Sequence, residues 1–166
     1  MAGKSITVDD ASTLAALQRL YEAAGNLLPV FKNIGEYETQ VTKNRFITET
    51  DPDGAPWQDL NELYATTKKG PGKLRGETRR LSQIIYQAAN DNVEIGSDVI
   101  YARIHNEGGV IRPKNASALV FSMGGQTFKL KSVTIPRRRF LGFSDADLVE
   151  IQDIIQDHFQ DAIDGR

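Results

Sequence analysis

Hydrophobic positions near the start of the chain recur every three or four residues, as on one face of an α-helix. This spacing connects Leu14, Leu17, Leu20, Ala24 and Leu28. A second run with helical spacing leads from Val30 to Phe46. Gly25-Asn26 separates the two runs, and Pro29 suits the first turn of the second helix. The pattern predicts a helical hairpin over residues 9–48, with its two apolar stripes packed against each other.

Between residues 81 and 143 the apolar period shortens toward two, which is typical of β-strands. Residues 82–88 and 92–96 are two such runs, with turn-forming residues between them. Residues 118–122 and 127–131 form a second pair around two consecutive glycines. Each pair predicts a β-hairpin.

Two further elements complete this middle region. Residues 99–107 predict a short helix closed by Gly108-Gly109, and residues 133–136 predict one more extended segment. Phe128 and Leu130 alternate with lysines, which indicates a strand with one buried and one solvated face. The region as a whole predicts an antiparallel sheet of about four to six short strands.

The last helix, predicted over residues 144–163, has the clearest amphipathic pattern. Ser144 is a suitable N-cap, and two aspartates follow in the first turn, where negative charge is favourable. One sector carries Leu148, Ile151, Ile155, Phe159 and Ala162. The nearly opposite sector, here called the acidic strip, carries Glu150, Asp153, Asp157, Asp161 and Asp164. We expect the apolar sector to pack on the sheet, and the acidic strip to be either a solvated face or a docking surface for a basic neighbour.

Residues 49–80 connect the helices to the sheet region. Residues 51–56 are a strong turn signal, and Trp57 begins a segment that predicts a short helix packed on the core. Residues 68–80, here called the basic loop, combine glycines with Lys68, Lys69, Lys73, Arg75, Arg79 and Arg80. This composition favours a mobile solvated loop, with contact to DNA or to an acidic protein face as the alternative.

The length of 166 residues fits one domain, and the predicted elements together give it the α+β class. Residues 5–8 predict a short first strand, and Asp9 or Asp10 is expected to cap the first helix. The net charge of −2 argues against a general nucleic-acid coat protein, although a local basic patch remains compatible with it. The absence of cysteine excludes disulfides and thiolate metal sites and fits a reducing cytoplasm. The sequence has no apolar run of the length that a membrane span needs, and its first ten residues have no apolar core of the kind found in signal peptides.

No pattern in the sequence predicts an active site, a metal site or a cofactor site. The two histidines, His105 and His158, lack partners at metal-binding spacing. We expect His105 to be a capping or buried hydrogen-bonded residue and His158 to lie at the surface. Ser144 follows Gly142 but lacks the second glycine of a nucleophile elbow, and it is better explained as a helix cap. An enzyme is therefore not expected.

Three strings carry a family resemblance. They are Asp-Gly-Ala-Pro-Trp at residues 53–57, Tyr-Ala-Arg-Ile-His-Asn-Glu-Gly-Gly at residues 101–109, and Pro-Arg-Arg-Arg-Phe-Leu-Gly at residues 136–142. In this order the chain resembles the virion morphogenesis, or tail completion, proteins of contractile-tailed, Mu-like phages, over about residues 6–159. The sequence departs from the family pattern at Arg139, where a second proline is common.

The resemblance implies a non-enzymatic structural protein that completes the tail or forms the head–tail joint of the virion, after assembly in the bacterial cytoplasm. It implies a homo-oligomeric ring, with a hexamer as one option, and contacts with other tail or neck proteins. Two alternatives remain open: a module that contacts DNA in the neck channel, and a transient assembly factor that is absent from the finished virion.

The charged residues suggest how ring subunits would meet, because heterologous contacts need two complementary surfaces. We expect a basic surface to lie against the acidic strip of the next subunit or against DNA. We expect Phe140 to anchor the extended segment that contains it, residues 136–143, to the core or to a neighbouring subunit. The basic surface is formed by Lys68, Lys69, Lys73, Arg75, Arg79, Arg80, Arg137, Arg138 and Arg139, and its acidic counterpart by Glu150, Asp153, Asp157, Asp161 and Asp164.

Overall fold

A computed structural model describes residues 11–166 of the chain. The strand predicted at residues 5–8 and the cap predicted at Asp9 or Asp10 lie outside this range. Helix α1 spans Ala11–Gly25 and helix α2 spans Leu28–Thr48, with a proline in the first turn of α2 as predicted. Helix α2 ends at Glu49, whose φ of 60° is left-handed and whose amide donates to a carbonyl of the last turn.

Short elements follow α2. Helix α3 spans Glu62–Ala65, and a 3₁₀ turn spans Arg80–Ser82. Strands β1 (Ile85–Ala88) and β2 (Val93–Gly96) form an antiparallel hairpin that packs on α2. Close approach is possible because Gly35 of α2 has no side chain, since a Cβ there would collide with the ring of Tyr86 in β1.

Two further strand pairs complete the sheet region. Helix α4 spans Ala102–Glu107 and ends at Gly108, as predicted. Strand β3 (Gly109–Ile111) pairs antiparallel with β6 (Val133–Ile135), and β4 (Leu119–Met123) pairs antiparallel with β5 (Gln126–Leu130). The two predicted hairpins are therefore confirmed, but the strands form three separate two-stranded sheets within residues 11–166 rather than one sheet.

The core lies where α2, the segment after it and the chain before the last helix meet. Phe46, Trp57 and Phe140 pack ring against ring, with centroids 5.6 Å apart for Phe46–Trp57 and 4.9 Å apart for Phe46–Phe140. Leucine and isoleucine side chains of the basic loop and of the segment before β1 close this cluster. The prediction that Trp57 packs on the core is confirmed.

Helix α5 spans Asp145–Asp164 and packs against α1 and α2. This differs from the sequence-based expectation in two ways: α1 lies along α5 rather than along α2, and α5 lies on helices rather than on a sheet face. The α+β class, with N-terminal helices, antiparallel strands and a C-terminal helix, is nevertheless confirmed.

The contact between α1 and α5 also corrects the expectation for His158. Its Nε2 lies 3.2 Å from the carbonyl oxygen of Ala23, so the imidazole is a partly buried link between the two helices. On the same interface Arg19 donates to the carbonyl oxygens of Ala162 and Ile163 at 2.8 Å each. These bonds satisfy carbonyls at the end of α5 and complement the negative end of its dipole.

Candidate interaction surfaces

Residues 136–143, here called the C-terminal arm, were expected to present cations to a partner, but the structure fixes most of them inside the fold. Arg138 is buried, and its guanidinium donates to the carbonyl oxygens of Gln58 and Asp59 at 2.8 and 2.9 Å. Phe140 has no exposed surface and anchors the arm to its own core. The expectation that Arg138 faces a partner is corrected for this reason: its charge stabilises the chain after Trp57.

The neighbouring arginines of the arm are placed differently. Arg139 is half-buried and pairs with Asp53 at 2.9 Å, while its backbone carbonyl accepts a hydrogen bond from the indole of Trp57. Arg137 is exposed. The arm therefore offers one cation to a partner, Arg137, together with part of Arg139.

The basic loop is likewise more ordered than its composition predicts. The ammonium of Lys68 donates to three carbonyls of the loop, and burial lowers the pKa of this lysine. Lys73 donates to the carbonyl of Trp57 at 2.5 Å and lies 2.9 Å from a carboxylate oxygen of Asp59. The prediction of a solvated loop is therefore wrong for Lys68 and Lys73, which act as internal hydrogen-bond donors, whereas most other residues of the loop are exposed.

Lys69 and Arg75 complete the predicted basic set. Lys69 is exposed, and its ammonium lies 3.6 Å from a carboxylate oxygen of Glu77, which is also exposed. Arg75 is half-buried, and its Nε atom is buried without a hydrogen-bond partner. Among the predicted basic residues, the structure leaves four exposed: Lys69, Arg79, Arg80 and Arg137. Arg80 lies 3.4 Å from a carboxylate oxygen of Asp98.

The acidic strip lies on the solvent side of α5, as the helical spacing predicts. Its five carboxylates are all exposed. Arg166 reaches back to the end of the strip. Its Nε lies 3.6 Å from a carboxylate oxygen of Asp161, and its Nη2 pairs with Asp164. Glu150, Asp153 and Asp157 remain the central, exposed part of the strip.

Sequence reasoning missed a buried charged cluster that joins α2 to the start of α5. The guanidinium of Arg45 lies 2.5 Å from Asp147, and it also donates to the carbonyl oxygens of Phe140 and Gly142. Asp147 in turn accepts from the backbone amide of Ser144, which completes a capping box for α5. The capping signal was visible in the sequence, but the partner from α2 was not.

Glu38 is the third charged member of this cluster, and it is buried in α2 about two helical turns before Arg45. Its Oε1 has no hydrogen-bond partner. Burial, followed by the negative charge of Asp147, raises the pKa of Glu38 from 4.5 to about 7, although Arg45 acts in the opposite direction. Burial and Asp147 also raise the pKa of Tyr37 to about 12.

A pH dependence of stability follows from Glu38. The folded state binds this proton more tightly than the unfolded state, so stability falls as pH rises from 4.5 to 7 and is then constant for this group. In the wild type, this group should lower the unfolding free energy by about 2 kcal/mol between pH 5 and pH 8. We expect Glu38→Gln to abolish this decrease, which urea titration at the two pH values measures. Glu36→Gln, on the exposed side of the same helix, should keep the wild-type profile.

A groove of about 720 Å³ lies between α3, the basic loop, α4 and the strand pairs. Its walls are largely apolar, and they include Tyr64, Tyr101, Ile111, Val120 and Phe121. Lys68, Lys73, Arg80 and Arg138 also line it, and no aspartate or glutamate does. The groove is therefore an apolar depression with a cationic border.

His105 also lines the groove. Burial, and then the charge of Arg138, lowers the pKa of His105, and its Nδ1 atom is buried without a hydrogen-bond partner. His105 is partly buried, and no hydrogen bond reaches Nδ1, so the expected hydrogen bond is not found at that atom. Within residues 11–166 no three potential metal-ligating side chains of the His, Cys, Asp and Glu types converge on one point. Across the same residues no helix has the length and apolar character that a membrane span requires.

Comparison with known proteins connects these surfaces to a biological context. A search of curated proteins and a search of solved structures each found no match. The model of the phage virion morphogenesis family matches residues 8–160, which is nearly the whole chain. The three strings that suggested this resemblance lie in the turn before the core, in α4 and in the C-terminal arm, where they build the folded centre. The chain belongs to the phage virion morphogenesis family.

Proposed function

We propose that this protein is a non-enzymatic structural component of the virion that completes the tail or forms the head–tail joint, and that it works as a ring of identical subunits. The observation that carries the proposal is the separation of charge on the surface of the fold. The acidic strip occupies the solvent side of α5, while exposed cations lie on the basic loop and the C-terminal arm. Surfaces of opposite charge on one subunit suit the head-to-tail contacts of a ring.

Cations that are already bonded within the subunit are excluded from the proposed contact. Arg138 and Lys73 are engaged inside the subunit, so they do not contribute to the basic surface. Lys69 and Arg137 are exposed and are proposed to face Asp153 and Asp157 of the next subunit. In the rival role, the basic residues line a channel for DNA. This role relies on the same cations, so the internal bonds also leave fewer of them to bind phosphates.

Charge reversal tests this contact. We expect Asp153→Lys with Asp157→Lys to weaken self-association at least about tenfold, because two attractive contacts at the border of the interface become repulsive. Light scattering over a range of protein and salt concentrations measures the effect. Lys69→Glu with Arg137→Glu in the mixing partner should restore association.

Asp91→Lys with Glu94→Lys is the matched control, because it reverses two exposed carboxylates on the β1–β2 hairpin with the same change in net charge. This control should keep the wild-type solution mass. A self-association that is equally strong in both reversed variants would contradict the proposed contact.

A further inference from the structure

Helix α1 is attached to the rest of the fold by a shallow contact. Across Ala11–Gly25 every residue is exposed or partly buried, whereas α2 buries seven of its residues. Among the described elements, α5 is the main neighbour of α1. The partly buried apolar residues that α1 brings to this contact are Ala16, Leu20 and Ala23. Since hydrophobic stabilisation grows with the apolar area removed from water, two alanines and one leucine hold α1 only weakly.

Hydrogen bonds add to this contact, and they lie near the end of α5. Arg19 donates to the carbonyl oxygens of Ala162 and Ile163, and the imidazole of His158 contacts the carbonyl oxygen of Ala23. The start of α5 is held elsewhere, by the buried charged cluster that joins it to α2. The two ends of α5 therefore have different anchors, and α1 is the anchor at the C-terminal end.

The side chain of Asn90, in the turn between β1 and β2, bridges the joint between α1 and α2. Its Oδ1 accepts a hydrogen bond from the backbone amide of Leu28 at 3.1 Å, and its Nδ2 donates to the carbonyl oxygen of Gly25 at 3.2 Å. Leu27, at the N-cap position of α2, has no side-chain oxygen, so Asn90 supplies the cap from another element. Asn90 is exposed, and the space beside Gly25 is open. The joint is therefore fastened at the surface of the fold.

We propose that α1 is a strap that opens from α5 as one unit, with residues 25–27 as its hinge, while the rest of the described fold stays packed. A helix of 15 residues is marginal in water by itself, so α1 unfolds locally once it leaves α5. Such openings need less free energy than global unfolding where few apolar contacts are buried. Opening uncovers the side of α5 that carries His158, in the same turns as Asp157 and Asp161 of the acidic strip. The strap operates within one subunit, so it is independent of the proposed ring contact.

Hydrogen exchange of single backbone amides, followed by NMR on the full chain, tests the strap. We expect the amides of α1 to exchange at least about 100-fold faster than the slowest amides of α2, after correction for their intrinsic rates. Ile84→Val separates local from global opening, because it weakens the core that stays packed when α1 opens. This variant should speed the slowest amides of α2 about fivefold and leave those of α1 unchanged.

Asn90→Ala tests the hinge, and Asn92→Ala in the same turn is its matched control. The side chain of Asn92 is exposed and donates to the neighbouring Asp91, so its loss leaves the joint intact. We expect Asn90→Ala to speed the exchange of α1 at least about threefold, because two hydrogen bonds at the joint are lost. Asn92→Ala should leave the exchange of α1 unchanged.

Equal acceleration of α1 and α2 by Ile84→Val would overturn the proposal, because α1 would then open only when the whole protein unfolds. Slow exchange over residues 20–25 beside fast exchange in the first turn would also overturn it, since α1 would fray at one end instead of opening as a unit. Equal exchange of α1 in Asn90→Ala and Asn92→Ala would overturn the placement of the hinge.

Discussion

Arg45→Met should lower the unfolding free energy by about 3–5 kcal/mol, although methionine fills much of the space of the arginine stem. The loss has two parts. Asp147 keeps its negative charge in a buried position without its cation, and the carbonyl oxygens of Phe140 and Gly142 lose their donor. The substitution therefore weakens the attachment of both the C-terminal arm and the start of α5.

Urea unfolding followed by circular dichroism measures this change. Lys32→Met, which replaces an exposed cation of the same helix, is the control and should alter the unfolding free energy by less than about 0.5 kcal/mol. If the two variants are equally stable, the Arg45–Asp147 pair does not hold α5 in the way that its position suggests.

Phe140→Ala should also cost about 3–5 kcal/mol, because it leaves a cavity beside Phe46 at the centre of the core. Phe143, three residues further along the same arm, is 51% exposed. Phe143→Ala should therefore cost much less, on the order of 1 kcal/mol. Thermal and urea unfolding of the two variants compare one chemical change at two depths of burial.

A small effect of Phe140→Ala would mean that the arm does not depend on this anchor. An equal effect at Phe143 would mean that Phe143 is covered in solution, which would indicate a subunit contact at the arm. Analysis at two protein concentrations separates the second case, because stability that comes from association rises with concentration.

Local signals in the sequence predicted local structure well. Ser144 caps α5, Gly108 ends α4, and the glycine pair between β4 and β5 forms the hairpin turn. Each of these features depends on residues a few positions apart, so the chemistry that produces them is visible in a short window.

Features that depend on distant residues were not predictable in the same way. Helix α1 carries apolar residues on its exposed side, such as Leu17, as well as on the side that packs, such as Leu20. Periodicity alone therefore could not show that α1 packs along α5 instead of α2. Arg45 and Asp147 are separated by 102 positions, and the run of three arginines in the arm gave no sign that its middle member is buried. Burial of Arg138 depends on two carbonyls of the segment after Trp57, which no periodic pattern encodes.

Leu130 shows a smaller limit of the same kind. Its alternation with lysine predicted a buried face, yet Leu130 is 42% exposed, because β4 and β5 pair only with each other within the described residues. A two-stranded hairpin can shield only part of one face.

A structural part at the end of the tail or at the head–tail joint, as we propose, should stay in the finished virion. Its copy number can be measured by quantitative mass spectrometry of purified virions, with labelled peptides of this chain and of the major tail protein as standards. We expect a constant copy number per particle, far below that of the tail protein and equal to that of one ring. Complete virions that lack the protein would rule out this structural role and would favour a transient assembly factor.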